Sequence, residues 1–438
     1  ARNVGFYDQL LGLKWVRENI HLFGGDKDKI TIFGESAGSW SVSAHILSPL
    51  SKGMFKRAIM QSGAQFYNMD KEVVNKTEAL SQAKAMAKGL KCNETEDWIQ
   101  CLRRADPKDI LKYENPIATY PTFDTEFLPI RAQTAFNTKK FNTDIDLIAG
   151  ITRNEGSTFI IVVIHDLVHI INMNISDFHN AVNALDSIGY HNVNVPKVTE
   201  HYLKGVNTSN SLALRTALGS LIGDLILGCP TYHFAKRFAQ TVKESQRVYF
   251  YELLYGSDNH MDSDWPQLLN DEPMNAPKVH GLDPKDLSLL SHSSIGVVRG
   301  RTLHVLDTNV DQFVGIPYAE PPVGKLRFAK PEHIIKPFPV NATKPTNSCM
   351  QPTTFIPIIP GTGMSEDCLV LNIWTADVKA LKPVMFWIHG GGLNIGTIFQ
   401  TWFNGSVLAT KDVVVVSVNY RLGPFGFLYG DREDAPGN

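Results

Sequence analysis

Apolar β-branched runs alternate with helix-like stretches along the chain, and this alternation predicts an α/β sheet flanked by helices. Seven runs have the length and composition of strands: Lys29–Phe33, Arg57–Gln61, Asp146–Ile151, Arg247–Leu254, Cys368–Trp374, Val384–His389 and Asp412–Asn419. The last contains four consecutive valines, which is typical of a strand buried on both faces. Apolar spacing over Leu10–Asn19 predicts an amphipathic helix, and Asn68–Asp144 and Ser157–Lys243 are expected to be mostly helical insertions.

Composition narrows the class of protein. A length of 438 residues allows one large domain, and 43% hydrophobic with 20% charged residues is an ordinary globular balance. The net charge of −2 offers no basic surface, so nucleic acid is not an expected partner. No uninterrupted apolar run reaches the ~18 residues of a membrane span, and we expect no transmembrane segment.

The five cysteines favour two short disulfide loops, Cys92 with Cys101 and Cys349 with Cys368. Neither spacing suits a zinc site, so no metal is expected. Cys229 lies in an apolar stretch and is predicted to be a buried free thiol. The two loops favour a secreted protein or one in the lumen of the secretory pathway, and six sequons predict glycosylation there: Asn75, Asn93, Asn174, Asn207, Asn341 and Asn404.

A Gly-x-Ser-x-Gly turn, centred on Ser36, joins the first predicted strand to a helical stretch. This is the pattern of a nucleophile elbow, in which small glycines allow a strained strand-to-helix turn to expose the serine hydroxyl. A serine held in this way points to acyl transfer through a covalent intermediate. Ser36 is therefore the candidate nucleophile.

Further short blocks accompany the Ser36 turn over most of the chain. They are Asn3–Gly5, Asp8–Gln9, Trp15–Ile20, Phe23–Asp26, Gln61–Gly63, Asn154–Gly156, Ile316–Ala319, Ser365–Leu369, His389–Gly392 and Asn419–Gly423. Together they resemble the type-B carboxylesterase/cholinesterase family of α/β-hydrolases. The resemblance implies the α/β-hydrolase fold, with a central, mostly parallel twisted sheet and helices on both faces, in a single domain over residues 1–438. It also implies a small-molecule ester substrate and no cofactor.

The order of these blocks departs from the family. In a typical member the segment resembling residues 291–438 comes first, and the segment resembling residues 1–290 follows it. Joining residues 435–438 to residues 3–9 would restore the usual continuous run, so we expect a circular permutation cut in a surface turn. The polar stretch Ser257–Ser294 is the predicted join. It leaves little room for the C-terminal helical stretch that family members carry after their catalytic histidine, and apolar surface would then be poorly covered.

The resemblance implies a Ser-His-Glu triad. Glu155 follows a predicted strand and is the expected acid, which would hold the tautomer of the histidine. His280, in a His-Gly-Leu-Asp segment, is the expected base, and His260 is the alternative. The chain order serine, glutamate, histidine fits the hydrolase order.

The resemblance also implies an oxyanion hole made of the backbone amides of Gly391, Gly392 and Ala37. Glycines suit this role because they allow close backbone approach while keeping their N–H donors. Two charge pairs carried over from the family are expected to be buried, Arg421 with Asp26 and Arg327 with Glu366.

The loop between Cys349 and Cys368 bears on the substrate. Cholinesterases hold in this loop a tryptophan whose ring binds the quaternary ammonium, but here Phe355 is the only aromatic residue. We therefore expect an apolar pocket for small to medium carboxylic esters and not for choline esters. The alternative is a non-catalytic, cholinesterase-like recognition or adhesion domain, against which the intact Ser36 argues. The natural ester and the oligomeric state stay open.

Overall fold

The computed structural model describes residues 3–66, 75–92, 97–113, 119–160, 171–188, 193–254, 289–353 and 362–431. Within them the chain forms one large sheet and a small two-stranded one. The strands are β1 Gly25–Glu35, β2 Arg57–Gln61, β3 Asp146–Thr152, β4 Val248–Leu253, β5 Leu289–Ser293, β6 Gly296–Val305, β7 Thr308–Pro317, β8 Val340–Asn341, β9 Ser348–Cys349, β10 Met364–Ser365, β11 Val370–Thr375, β12 Lys382–Ile388 and β13 Val414–Val418. All seven predicted strands are confirmed, with ends that differ by a few residues.

The large sheet has the order β4-β3-β2-β1-β12-β13-β11-β7-β6-β5, and β8 pairs with β6. The strands from β4 to β13 run parallel, and the rest of the path from β13 to β5 is antiparallel. The central pairing of β1 with β12 joins strands from opposite ends of the sequence, with Phe33 opposite Trp387. The carboxyl ends of β1, β2, β3 and β12 therefore meet at one edge of the sheet, where α/β proteins place their sites.

Sequence analysis did not predict β5, β6 and β7. The β6–β7 hairpin turns through Leu306 and Asp307, which both have positive φ, as a two-residue hairpin of this type requires. Charged and polar residues alternate with apolar ones along β6, so no apolar run marks this strand.

Helices lie on both sides of the sheet. Their bounds are α1 Val4–Asn19, α2 Ala37–Leu47, α3 Lys76–Gly89, α4 Trp98–Arg104, α5 Pro107–Leu111, α6 Ala132–Thr138, α7 Ile175–Ile188, α8 Val195–Leu203, α9 Ser211–Gly223, α10 Cys229–Thr241, α11 Ser406–Ala409 and α12 Gly423–Phe427. The main core packs α1, α2, α6 and α10 against one face of the sheet, and short α11 packs near β11 and β13. This arrangement is the predicted α/β architecture.

The two predicted insertions are mostly helical where the structure describes them, since they contain α3 to α6 and α7 to α10. The helical stretch Ser211–Thr241 is long and apolar enough to cross a membrane by length and composition alone, but half of it is buried inside the fold. The prediction for Cys229 was wrong: the thiol is free but exposed. The apolar residues around it wrap onto a helix, so Leu227 and Pro230 face the core while Cys229 faces outward.

Both predicted disulfides are present, Cys92–Cys101 and Cys349–Cys368. Five sequon asparagines are exposed, namely Asn75, Asn174, Asn207, Asn341 and Asn404, and Asn93 lies outside the described residues. Glycosylation of these sites stays a prediction.

Apolar side chains are exposed where the sheet ends at β4. Ile148, Tyr249 and Leu253 lie on one face of adjacent strands and are 39%, 58% and 52% exposed. The sequence predicts poorly covered apolar surface, and the sheet has such surface at this edge.

Candidate active site

Ser36 occupies the sharp turn between β1 and α2. Its backbone has φ 54° and ψ −122°, a conformation that a non-glycine residue adopts only when its surroundings impose it. The Ser36 amide donates to the carbonyl of Gln61 at 2.9 Å, which ties the turn to the end of β2. A Cβ on Gly38 would lie 2.0 Å from the carbonyl oxygen of Ile388, so only glycine lets α2 start this close to β12. The predicted nucleophile thus has an elbow conformation and is half-buried.

The stretch from His389 to Leu393, here called the glycine run, follows β12 and lies beside Ser36. A Cβ built on Gly390 would be 3.2 Å from Ser36 Cβ and 2.8 Å from the Glu35 carbonyl oxygen. Gly391 and Gly392 both have positive φ, at 111° and 62°. Ala37, the third predicted donor, is buried as the first residue of α2, where helical N–H groups have no partner within the helix. The fold therefore places Gly390, which directly precedes Gly391 and Gly392, against the serine, and Ala37 follows the serine in α2.

Glu155 follows β3 in a turn and is held by two donors on one carboxylate oxygen. Ser62 Oγ donates to Glu155 Oε1 at 2.5 Å, and the Thr152 amide donates to the same oxygen at 2.6 Å. Ser62 comes directly after β2 and Glu155 comes shortly after β3, so adjacent strands deliver both groups to the same edge. The second oxygen of the carboxylate receives no hydrogen bond from another described residue.

Glu35 is the last residue of β1 and directly precedes the nucleophile. Burial among the surrounding atoms and, to a smaller extent, repulsion by the charge of Glu155 together raise the pKa of Glu35 from 4.5 to about 7. The residue as a whole nevertheless keeps part of its surface exposed to solvent. This part of the edge therefore carries two interacting carboxyl groups, and the pKa of one of them, Glu35, is raised to the neutral range.

The predicted base, His280, and its alternative, His260, both lie outside the described residues. Among the described histidines, His389 belongs to the glycine run but is fully buried. Its Nδ1 donates to the Gly390 carbonyl at 2.9 Å, and its ring stacks on Tyr420 with centroids 4.5 Å apart. Burial lowers its pKa to about 4, so it is neutral at pH 7 and anchors the run.

One predicted charge pair is confirmed and the other is wrong. Arg327 binds Glu366 through two hydrogen bonds, at 2.7 and 2.5 Å, with both side chains nearly buried. Arg421 pairs with Asp8 at 2.6 Å and not with Asp26. Asp26 is at the start of β1, where its carboxylate binds Lys29 at 3.0 Å. Asp8 lies on the buried face of α1, which packs against α12 just after Arg421.

Sequence reasoning missed two residues of the site, Ser62 and Thr119. Ser62 lies in the quoted block Gln61–Gly63, and its position directly after a strand whose end faces the site was an available signal. Thr119 donates through its amide to the Gly392 carbonyl at 2.9 Å and through its hydroxyl to Asn394 Oδ1. No local pattern marks Thr119, because its partners lie about 275 positions further along the chain.

At this edge of the sheet, a serine nucleophile lies beside hydrogen-bond donors of the backbone. A strained serine, adjacent backbone amides and a carboxylate held by two donors are three of the four parts that acyl transfer through serine requires. The fourth part, a histidine base, is not supplied by the described residues.

Comparison with known proteins gives family matches over the whole length of this chain. The Carboxylesterase family matches residues 1–285 and, separately, residues 286–438. An acetylcholinesterase of Myxine glutinosa is 33% identical over 277 residues, which cover 60% of this chain and 79% of that protein.

Two further relatives are acetylcholinesterases of Electrophorus electricus and Danio rerio. They are 34% and 33% identical over 258 residues, which cover 54% of this chain. The chain spans 39% of the length of each of these two relatives. With two family matches that together include every residue, and with the sheet and elbow described above, this chain belongs to the carboxylesterase family.

Proposed function

We propose that this protein is a serine ester hydrolase that acts through a Ser-His-Glu triad and an acyl-enzyme intermediate. Ser36 attacks the ester carbonyl, and the amides of Gly391, Gly392 and Ala37 stabilise the oxyanion. Glu155 orients the histidine, which takes the proton of Ser36 and returns it to the leaving alcohol. Water then releases the acid by the reverse sequence. The reaction needs no cofactor.

The observation that carries this proposal is the packing of the glycine run against the strained serine. Gly390 approaches Ser36 so closely that any side chain at residue 390 would meet Ser36 Cβ and the Glu35 carbonyl. Backbone donors next to the nucleophile stabilise the tetrahedral intermediate, and losing one costs about 100- to 1000-fold in rate. A non-catalytic recognition domain would have no need of this arrangement.

His280 is the proposed base, with His260 as the alternative. The choice follows from the His-Gly-Leu-Asp segment of His280 and from chain order. Because the base must be neutral, we expect the rate to fall as the pH drops below about 6.5, the ordinary pKa of histidine.

The proposed substrates are small to medium carboxylic esters. The loop between Cys349 and Cys368 has no tryptophan to bind a quaternary ammonium, so choline esters are disfavoured although the curated relatives are acetylcholinesterases. We further propose that the protein passes through the secretory pathway. Two disulfides and five exposed sequons support this location.

We also propose that residues 1–290 and 291–438 form one domain in circularly permuted order. The contacts between the two parts support this proposal. Strand β1 of the first part pairs with β12 of the second, and Asp8 of the first part binds Arg421 of the second. Hydrogen–deuterium exchange during denaturation tests it. One cooperative unfolding transition for both parts is expected, and two separate transitions would contradict a single domain.

A fluorophosphonate probe and p-nitrophenyl butyrate test the proposed reaction. We expect covalent labelling at Ser36, turnover of the ester, and loss of both in Ser36→Ala. Acetylthiocholine serves as the second substrate and should be turned over more slowly. A folded protein that neither reacts with the probe nor hydrolyses the ester would overturn the proposal.

Two histidine variants identify the base. His280→Ala should abolish turnover, whereas His260→Ala should retain it. The reverse result would move the base to His260, and retention of turnover in both variants would exclude both assignments.

A further inference from the structure

Every carbonyl in the glycine run accepts a hydrogen bond. The donors are Tyr420 Oη to His389, His389 Nδ1 to Gly390, the amides of Asn394 and Ile395 to Gly391, the amide of Thr119 to Gly392, and the amide of Gly423 to Leu393. A peptide group is planar, so a carbonyl held on one side fixes the N–H of the next residue on the other. The carbonyl contacts therefore fix the direction of two of the three amides that the proposed reaction uses, those of Gly391 and Gly392.

Most of these donors are near neighbours of the run. His389, Asn394 and Ile395 belong to the same stretch of chain, and Tyr420 and Gly423 follow β13, which pairs with β12. Thr119 is different because it belongs to the part of the chain that carries Ser36, about 275 positions before its partners. Of the described donors to these carbonyls, it alone joins the run to that part.

Thr119 holds the run at two points. Its amide donates to the Gly392 carbonyl at 2.9 Å, and its hydroxyl donates to Asn394 Oδ1. The Asn394 amide in turn donates to the Gly391 carbonyl at 3.0 Å, which orients the Gly392 N–H. The hydroxyl of Thr119 thus acts on a proposed oxyanion donor through one intermediate residue.

The same segment also contacts the helix of the nucleophile. Tyr120 stacks on Trp40 with ring centroids 6.4 Å apart. The Trp40 amide donates to the Ser36 carbonyl at 2.9 Å. Residues 119 and 120 therefore contact both halves of the site, the glycine run and the helix of the nucleophile.

We propose that Thr119 is a positioning residue, whose hydroxyl acts through Asn394 to keep the amide of Gly392 aimed at the acyl oxygen on Ser36. The kinetic consequence of this inference rests on the proposed ester hydrolysis. The two contacts of Thr119 with Gly392 and Asn394, here called the clamp, are a property of the fold. A small displacement of catalytic groups lowers the rate steeply, while ground-state binding changes little because the oxyanion exists only near the transition state.

Removing the hydroxyl while keeping the backbone amide tests the clamp. Thr119→Val removes only the contact to Asn394, Thr119→Ala is a smaller alternative, and Thr119→Ser restores the hydroxyl. Thr138→Val is the matched control, since its hydroxyl donates to the Thr134 carbonyl at 2.7 Å at an exposed position of α6. With p-nitrophenyl butyrate we expect kcat to fall about tenfold in Thr119→Val and Thr119→Ala. KM should stay within about twofold, and Thr119→Ser and Thr138→Val should match the wild type.

Two further readouts separate positioning from general damage. A trifluoromethyl ketone forms a tetrahedral adduct with a catalytic serine, so its Ki should rise in Thr119→Val by about the same factor as kcat falls. Hydrogen–deuterium exchange in peptides that span 390–396 should be faster in Thr119→Val and normal in Thr119→Ser.

Unchanged exchange in Thr119→Val would overturn the proposal, as would a loss that appears only in KM. If Thr119→Val does not fold, Thr119→Ala gives the same comparison. The proposed function fails separately: a wild-type protein that the fluorophosphonate does not label is not a serine hydrolase, yet the exchange measurement still decides whether Thr119 holds the run.

Discussion

Asp8 and Arg421 are 413 positions apart in the chain and form a buried, two-pronged ion pair. Arg421 Nε donates to Asp8 Oδ2 at 2.8 Å, and Nη2 donates to Oδ1 at 2.6 Å. The Arg421 amide adds a third hydrogen bond to Oδ2 at 3.0 Å. The side chains of Asp8 and Arg421 are 0% and 3% exposed, so the pair links α1 to the segment after β13 through a contact buried from solvent.

Arg421→Met is expected to destabilise the protein by about 3–5 kcal/mol, because it leaves the Asp8 carboxylate buried without its counter-charge. Urea unfolding at pH 7 measures the change. Arg57→Met is the control, since Arg57 pairs with Asp146 at the surface and such pairs contribute about 0–1 kcal/mol. Equal effects of the two variants would mean that burial of the Asp8–Arg421 pair has no energetic consequence.

Ser62→Ala is expected to lower kcat for p-nitrophenyl butyrate about tenfold or more, with little change in KM. Ser62 is one of two donors that hold Glu155, and a hydrogen bond to a charged group contributes about 1.5–3 kcal/mol. The loosened carboxylate would orient the histidine less well. Ser157→Ala is the matched control, because the Ser157 hydroxyl binds a carbonyl in the same turn and does not touch Glu155. A Ser62 variant with wild-type kcat would exclude this role.

The central strand β13 was predictable from sequence because it is buried along its whole length. Strands such as β13 lie between two layers and must be apolar throughout, which leaves an unbroken valine run. In contrast, β6 alternates between buried and exposed positions, and the polar side chains at its exposed positions interrupt the apolar run that would mark a strand. The elbow was predictable for a different reason: its glycines are required by contacts as short as 2.0 Å, which no other residue would allow.

Long-range partners were not predictable from local patterns. Family resemblance placed Arg421 in a buried pair, but the choice between Asp8 and Asp26 depends on which carboxylate faces the core once α1 has packed. Asp8 is fully buried, and Asp26 lies at the start of β1 beside Lys29. Thr119 was missed for the same reason, since a threonine within a predicted helical insertion carries no signal of its distant partner.

The Cys349–Cys368 disulfide closes a loop that reaches the active-site region. Next to it, Gln351 exchanges two hydrogen bonds of 2.8 Å with the backbone of Gly396, just beyond the glycine run. Replacing both cysteines with serine should cost about 3 kcal/mol, the entropic value for a loop of this length. Cys229→Ser should leave the urea midpoint unchanged, since Cys229 is free and exposed. A double variant as stable as the wild type would show that the bond does not contribute to stability.

Glu35 should make the stability of the folded protein fall as the pH rises from about 4.5 to 7. Its pKa is raised to about 7 by burial and by the nearby charge of Glu155, whereas in the unfolded chain it has the ordinary value of 4.5. Between these values the native state holds a proton that the unfolded state has released, so each step upward in pH favours unfolding; above about pH 7 the effect is constant. Glu35→Gln does not titrate, and its stability advantage over the wild type should grow between pH 5 and 7 and then level off.

Urea unfolding of both proteins at pH 5, 6, 7 and 8 checks this trend. Glu126→Gln is the matched control, because hydrogen bonds from Lys330 and Tyr7 lower the pKa of Glu126. That carboxyl stays ionised in both states above about pH 5, so the effect of Glu126→Gln should not depend on pH in this range. A difference between Glu35→Gln and wild type that shrinks from pH 5 to 7 would reverse the sign and exclude a raised pKa. The expected slope arises because the carboxyl beside the nucleophile is protonated in the folded protein when ordinary glutamates are charged.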